Sequence, residues 1–133
     1  AMNDYGLIVR VLEGPPTAAS ALKMSYAGIP KGFTALGAAM MLAATRGGSA
    51  EALKAELDES QSRLVAFLNR MTPAMYSNAY RWVAELDEIS AFVGEGFPEN
   101  KMMSAAARFY ERVAQDFDGE KAEIGVMDKF VGK

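Results

Sequence analysis

Few side chains in this 133-residue sequence can do chemistry. It contains no Cys and no His, so thiolate metal sites, cysteine nucleophiles, Ser-His-Asp triads and histidine metal clusters are excluded. Any reaction must use Lys, Asp, Glu, Ser, Tyr or Arg. Lys23 stands out among these. It lies in a stretch from Thr17 to Thr45 that holds only two charges, Lys23 and Lys31. If that stretch is helical, the neighbours of Lys23 one turn away are Ala19, Ser20, Tyr26 and Ala27, and none is a carboxylate. An amine partly desolvated near a helix N-terminus has its pKa lowered, which suits proton transfer near neutrality. The competing reading is a lysine whose stem packs while its head reaches water.

Other signals are weaker. Arg81, Glu85 and Glu88 fall on one face of a predicted helix beside Trp82, a pattern that a solvated, salt-bridged face explains. Asp87 and Glu88 are adjacent and point about 100° apart, a poor acid/base pair. The run Asp116-Phe-Asp118-Gly119-Glu120 has its glycine too early for a calcium loop. Gly94-x-Gly96 follows no strand and is no dinucleotide fingerprint. Ser25 and Tyr26 lack a histidine base.

These residues need a scaffold. The length suits one domain, with roughly two thirds of the unfolded surface buried on folding. The net charge of -3 argues against nucleic acid, whose phosphates require a basic surface. The longest uncharged apolar stretch, Gly32 to Thr45, is too short to cross a bilayer. No signal peptide shows at the N-terminus, so the expected location is cytoplasmic.

Residues 5–13, with Ile8, Val9 and Val11, read as a strand that Gly14-Pro15-Pro16 stops. No second strand follows, so its backbone groups require a partner from elsewhere. From Thr17 the pattern is helical. A first helix runs to Thr45 or Arg46, about 44 Å if unbroken, with Pro30 expected to kink it and Gly47-Gly48 to end it. Ser49 is expected to cap a second helix to about Asp58. A third spans Ser60 to Met71, stopped by Thr72-Pro73. A fourth spans Asn78 to Val93, and a fifth starts at Pro98 and ends near Asp118. Residues 120–133 form a short helix and a frayed tail. The fold class is all-α. The first helix, nearly free of charge, is expected to be buried on every side, at the domain centre or against a second subunit. Gly28 and Gly32, four apart, permit close backbone packing. The nine Met and seven Phe are read as core filling.

The stretch from Gly14 to Gly28 (GPPTAASALKMSYAG) resembles the interdomain motif of the β-hydroxyacid and 6-phosphogluconate dehydrogenase superfamily. The similarity extends through ALKMSYAGIPKGFTALGAAMMLAA, YRWVAELDEI and AAARFYERVA. It is nearest to a branch whose helical C-terminal domain carries only an unknown-function label. The resemblance implies a helical bundle around a long central helix, residues 17–133, serving substrate binding and dimerisation. Residues 1–16 would then be the last strand and linker of a Rossmann domain, and the cofactor would be NAD or NADP, held mainly by that other domain. It further implies that Lys23 takes the hydroxyl proton of a small, anionic hydroxy acid while hydride passes to the nicotinamide. Gly14 matches the opening glycine of the motif. The position four after the lysine, usually asparagine, is Ala27, and two usual glycines are Thr17 and Ala19. Tyr26 is the candidate replacement for the lost amide, and Arg81 the candidate cationic substrate residue. The chain alone is expected to be inactive and to form a homodimer. Two alternatives are a standalone helical dimerisation module and a binding domain for a small anion held between Lys23 and Arg81.

Overall fold

The structure, a computed structural model, describes residues 2–6 and 8–133. After a short 3₁₀ turn at Met2–Tyr5 it consists of six helices: α1 (Ala18–Arg46), α2 (Ala50–Ser60), α3 (Ser62–Tyr76), α4 (Ala79–Val93), α5 (Asn100–Asp118) and α6 (Ala122–Val131). The all-α expectation is met.

The expected strand is not formed among the described residues. Residues 8–13 carry no regular structure, and Ile8 and Val11 are 88% and 92% exposed. A strand needs a ladder, and the described residues offer no second strand to supply one. Leu7, part of the expected strand, lies outside the described residues.

Helix boundaries follow packing where it outweighs local signals. α1 runs unbroken through Pro30, and α3 continues past Pro73 to Tyr76. A proline removes one backbone hydrogen bond, whereas Leu68, Thr72, Met75 and Tyr76 place α3 in the core. The fifth helix begins at Asn100, two residues after Pro98, which sits in the preceding turn and accepts the Lys101 N–H. Ser49 marks the start of α2, but its hydroxyl donates to the Ala44 carbonyl instead of accepting from the new helix.

The core centres on α1, α4 and α5. Leu86 and Ile89 of α4 meet Ala106, Ala107 and Tyr110 of α5 and Ala35, Ala38 and Leu42 of α1. The α4–α5 hairpin is tied at its turn. Ser90 donates to the Asn100 carbonyl (3.0 Å), and the Asn100 amide donates to the Gly94 carbonyl (3.0 Å). Gly94 stands at φ 94°, a conformation that a side chain would strain. Along the hairpin, Arg108 pairs with Asp87 at 2.7 Å. No phenylalanine is buried among the described residues. The largest fully buried side chains include Tyr110, Met75, Leu86 and Met127, so methionine but not phenylalanine fills the centre.

In the acidic run that begins in the last turn of α5, Asp116 proves structural. Asp116 accepts the N–H groups of Ala122 (3.0 Å) and Ile124 (2.8 Å), capping α6 from outside the helix. Tyr76 of α3 then donates its hydroxyl to Asp128 of α6 at 2.9 Å.

The expectation that α1 is enclosed on every side does not hold within the chain. Gly28, Thr34, Ala35, Ala38, Met41 and Leu42 form a buried face. The opposite face presents large apolar side chains to solvent. Five shorter helices are too few to surround one of 29 residues. By length, and by a mean hydropathy of 1.2 over an 18-residue window, this helix is long and apolar enough to cross a membrane, and a third of that window is buried against its neighbours.

Candidate functional site

Lys23 lies on the second turn of α1, just after the irregular segment that ends at Thr17. Its side chain is exposed, and Tyr26, one turn on, is 76% exposed. Two small polar residues, Thr17 and Ser20, precede them on the same end of the helix. Among the described residues nothing buries the amine. Ala27, in contrast, packs partly against the core cluster.

Arg81 lies elsewhere. The register between α1 and α4 is set by Gly28, which faces Ile89, and by Lys31, whose Nζ stands 2.7 Å from Glu85. Rising numbers on α1 meet falling numbers on α4, so the two helices are antiparallel. Arg81, one turn before Glu85, therefore lies opposite residue 35, about 18 Å along the axis from Lys23. Its guanidinium donates to the Asn78 side-chain oxygen and lies 6.0 Å from the Tyr80 ring centre. The structure brings Lys23 and Tyr26 together and leaves Arg81 at the other end of the helix pair. No anion pocket joins Lys23 to Arg81 among the described residues.

Sequence reasoning missed the centre of the α1–α4–α5 contact. Lys31 is largely buried, paired with Glu85, and its ammonium lies 5.6 Å from the Trp82 ring centre. Trp82 packs edge-on to Tyr110, ring centres 5.3 Å apart. Tyr110 donates its hydroxyl to the Lys31 carbonyl at 2.5 Å. Burial pushes the Tyr110 hydroxyl pKa well above its ordinary 10.0. Of the predicted Arg81/Glu85/Glu88 face, Glu85 thus belongs to a tertiary ion pair, and its partner was in plain view as the second charge of the first helix.

Also missed was an apolar groove of about 630 Å³ between α1, α4 and α5, with Gly32 and Ala39 on its floor and Phe92 and Met102 on its walls. No group of Asp and Glu suited to holding a metal occurs among the described residues.

A family model described as "Domain of unknown function (DUF1932)" matches residues 44–113, just over half of the chain. The chain belongs to this family, a domain known from the C-terminal region of 6-phosphogluconate dehydrogenase-like proteins. The matched span runs from the end of α1 into α5, so it includes Arg81 and leaves Lys23 and Tyr26 ahead of it. No match was found among curated proteins or among solved structures.

Proposed function

We propose that this chain is the substrate-binding and dimerisation domain of a cytoplasmic, NAD(P)-dependent oxidoreductase acting on a small anionic hydroxy acid, with Lys23 as its proton-transfer group. The observation that carries this reading is the position of Lys23. It is an exposed amine on the second turn of a long apolar helix, placed where the chain enters the domain. Membership of a family found behind dehydrogenase domains supports the same reading.

The residues present do not themselves fit a dinucleotide. Among the described residues no strand leads into a glycine turn and helix that would cradle a pyrophosphate. In this reading NAD or NADP is held by a domain ahead of residue 17. On this side of the site, the neutral amine of Lys23 accepts the substrate hydroxyl proton, and the ammonium so formed stands beside the anionic substrate. Tyr26, one turn from Lys23 and one position before Ala27, supplies a hydroxyl in place of the amide that relatives carry at the Ala27 position. Closure of the preceding domain over the first turns of α1 would exclude bulk water and hold the amine against the substrate hydroxyl.

The test uses the full-length protein, assayed for reduced nicotinamide with a panel of small hydroxy acids. Lys23→Met should leave the melting temperature unchanged, since the side chain is exposed, and lower kcat by roughly 10²- to 10⁴-fold. Activity retained within a few-fold would remove Lys23 from the mechanism. Tyr26→Phe is expected to raise KM more than it lowers kcat.

A further inference from the structure

Lys23, Ala27 and Lys31 are four apart and form one stripe along α1. The stripe is about 12 Å long, and only the methyl of Ala27 stands between the two amines. Across from it, antiparallel α4 brings up Glu85, 2.7 Å from the Lys31 ammonium. Glu88 follows three residues later on the same face of α4. Since Ile89 faces Gly28, Glu88 lies about one turn nearer to Lys23 than Glu85 does. We propose that Glu85, held by Lys31 over Trp82, is a substrate-recognising carboxylate at the end of the site away from Lys23. It selects hydroxy acids whose distal group donates hydrogen bonds, a hydroxyl or an ammonium, over those ending in phosphate or methyl.

The carboxylate is fixed in place. Lys31 is held through its ammonium, 5.6 Å from the Trp82 ring centre, and through its carbonyl, which accepts the Tyr110 hydroxyl. Trp82 in turn packs against the buried Tyr110 ring. Within the pair, the Lys31 side chain is 16% exposed and that of Glu85 is 45% exposed. The cation is thus the anchored partner, and the carboxylate is the one that meets solvent. A half-exposed ion pair adds little stability, so what the arrangement achieves is a carboxylate of set orientation.

It also has capacity to spare. Only Lys31 contacts the Glu85 carboxylate among the described residues, and a carboxylate offers about four lone-pair sites. The local charge sets the sign of the group it accepts. Lys31 is neutralised by Glu85, and exposed Glu88 adds a further negative charge. Arg81, one turn to the other side of Glu85, already donates to Asn78. A distal phosphate laid along the stripe from Lys23 therefore meets like charge, which disfavours it. A methyl there strips water from the carboxylate and returns no hydrogen bond. A hydroxyl or an ammonium finds acceptors already aimed.

This inference deepens the proposed function and rests on its placing of the reacting hydroxyl at Lys23. The test uses the full-length protein with erythronate, its terminally deoxygenated analogue, its terminal amine and its terminal phosphate ester. Calorimetric titration without nicotinamide reads recognition apart from turnover. The better of erythronate and the amine should bind roughly 10-fold or more tightly than the deoxy acid and the phosphate ester. With nicotinamide, kcat/KM should follow the same order. Glu85→Gln should shrink the preference over the phosphate ester to within about 3-fold, and Glu85→Leu should remove the preference over the deoxy acid. Lys31→Met, which releases the carboxylate, should raise KM for erythronate more than it lowers kcat. An ion pair that only holds the helices would weaken every probe by one factor, leaving the order intact in both Glu85 variants, and that result overturns the proposal. So does a phosphate ester that binds as well as erythronate, or the failure of all the probes to bind at millimolar concentration. Ordered binding without any reduction of nicotinamide supports the role of Glu85 and counts against the proton-transfer reading of Lys23.

Discussion

The hydroxyl of Tyr110 donates to the backbone carbonyl of Lys31 at 2.5 Å, joining the middle of α5 to the middle of α1. The tyrosine is fully buried, and its ring packs edge-on to Trp82 of α4. One side chain thus ties the three helices of the core, and its loss should be felt in all of them. Tyr110→Phe removes only the hydroxyl and should cost about 1 kcal/mol. Tyr110→Ala adds a cavity and should cost about 3–5 kcal/mol. Urea unfolding of both variants, followed by circular dichroism, measures the difference.

Alkaline pH should weaken the fold. Burial raises the pKa of Tyr110, and burial together with Asp128 raises that of Tyr76, above the ordinary 10.0. A group with a raised folded pKa contributes its stability in full below the unfolded value. That contribution is lost as pH climbs from about 10 toward the folded value. For Tyr110 the slope should approach about 1.4 kcal/mol per pH unit in that window. Tyr110→Phe should flatten it, which unfolding midpoints measured between pH 8 and pH 11.5 will show.

Asp116 holds the start of α6 by accepting two of its N–H groups. Asp116→Ala should cost about 0.5–2 kcal/mol, the usual value of a cap. Because the bonds are local to α6, amide exchange should accelerate most at residues 122–131. Equal acceleration in α4 would show instead that the whole fold had been weakened.

Two helical glycines should respond oppositely to alanine. Gly125 has open space where a Cβ would stand, so Gly125→Ala should stabilise by about 0.5–1 kcal/mol. At Gly37 a Cβ would run into Leu68 Cδ2. Overpacking of about 1–3 kcal/mol there should cancel or outweigh the same helical gain. Thermal melts of the two variants should therefore separate, with Gly37→Ala the lower. Matching melts would mean that Leu68 moves aside without cost.

Thr72 Oγ1 is buried without a hydrogen-bond partner. Thr72→Val keeps the shape and removes the unpaired oxygen, so it should raise stability by about 1 kcal/mol. A lower melting point would reveal a partner, such as an internal water.

By itself the sequence determined the class of the fold and most of its elements. The uncharged run from Thr17 to Thr45 became one helix with its ends where Thr17 and Gly47 mark them, and glycine-bounded α4 and α5 also fell close to their expected limits. Local chemistry sufficed there, because glycine stops and apolar periodicity act within a few residues. Lys23 was likewise conspicuous as a charge without a helical partner. Tertiary structure decided the rest. Pro73 failed to end α3 because core burial of Met75 and Tyr76 outweighs one missing backbone bond. Residues 8–13 formed no strand because pairing depends on a second strand, which propensity cannot supply. Lys31 and Glu85 lie 54 positions apart in the chain, and their pairing, with the separation of Lys23 from Arg81, follows from the antiparallel register of α1 and α4. The division of α1 into a buried and a bare face was decided the same way. Composition shows how apolar a helix is, whereas the number and placement of its neighbours set which side they cover.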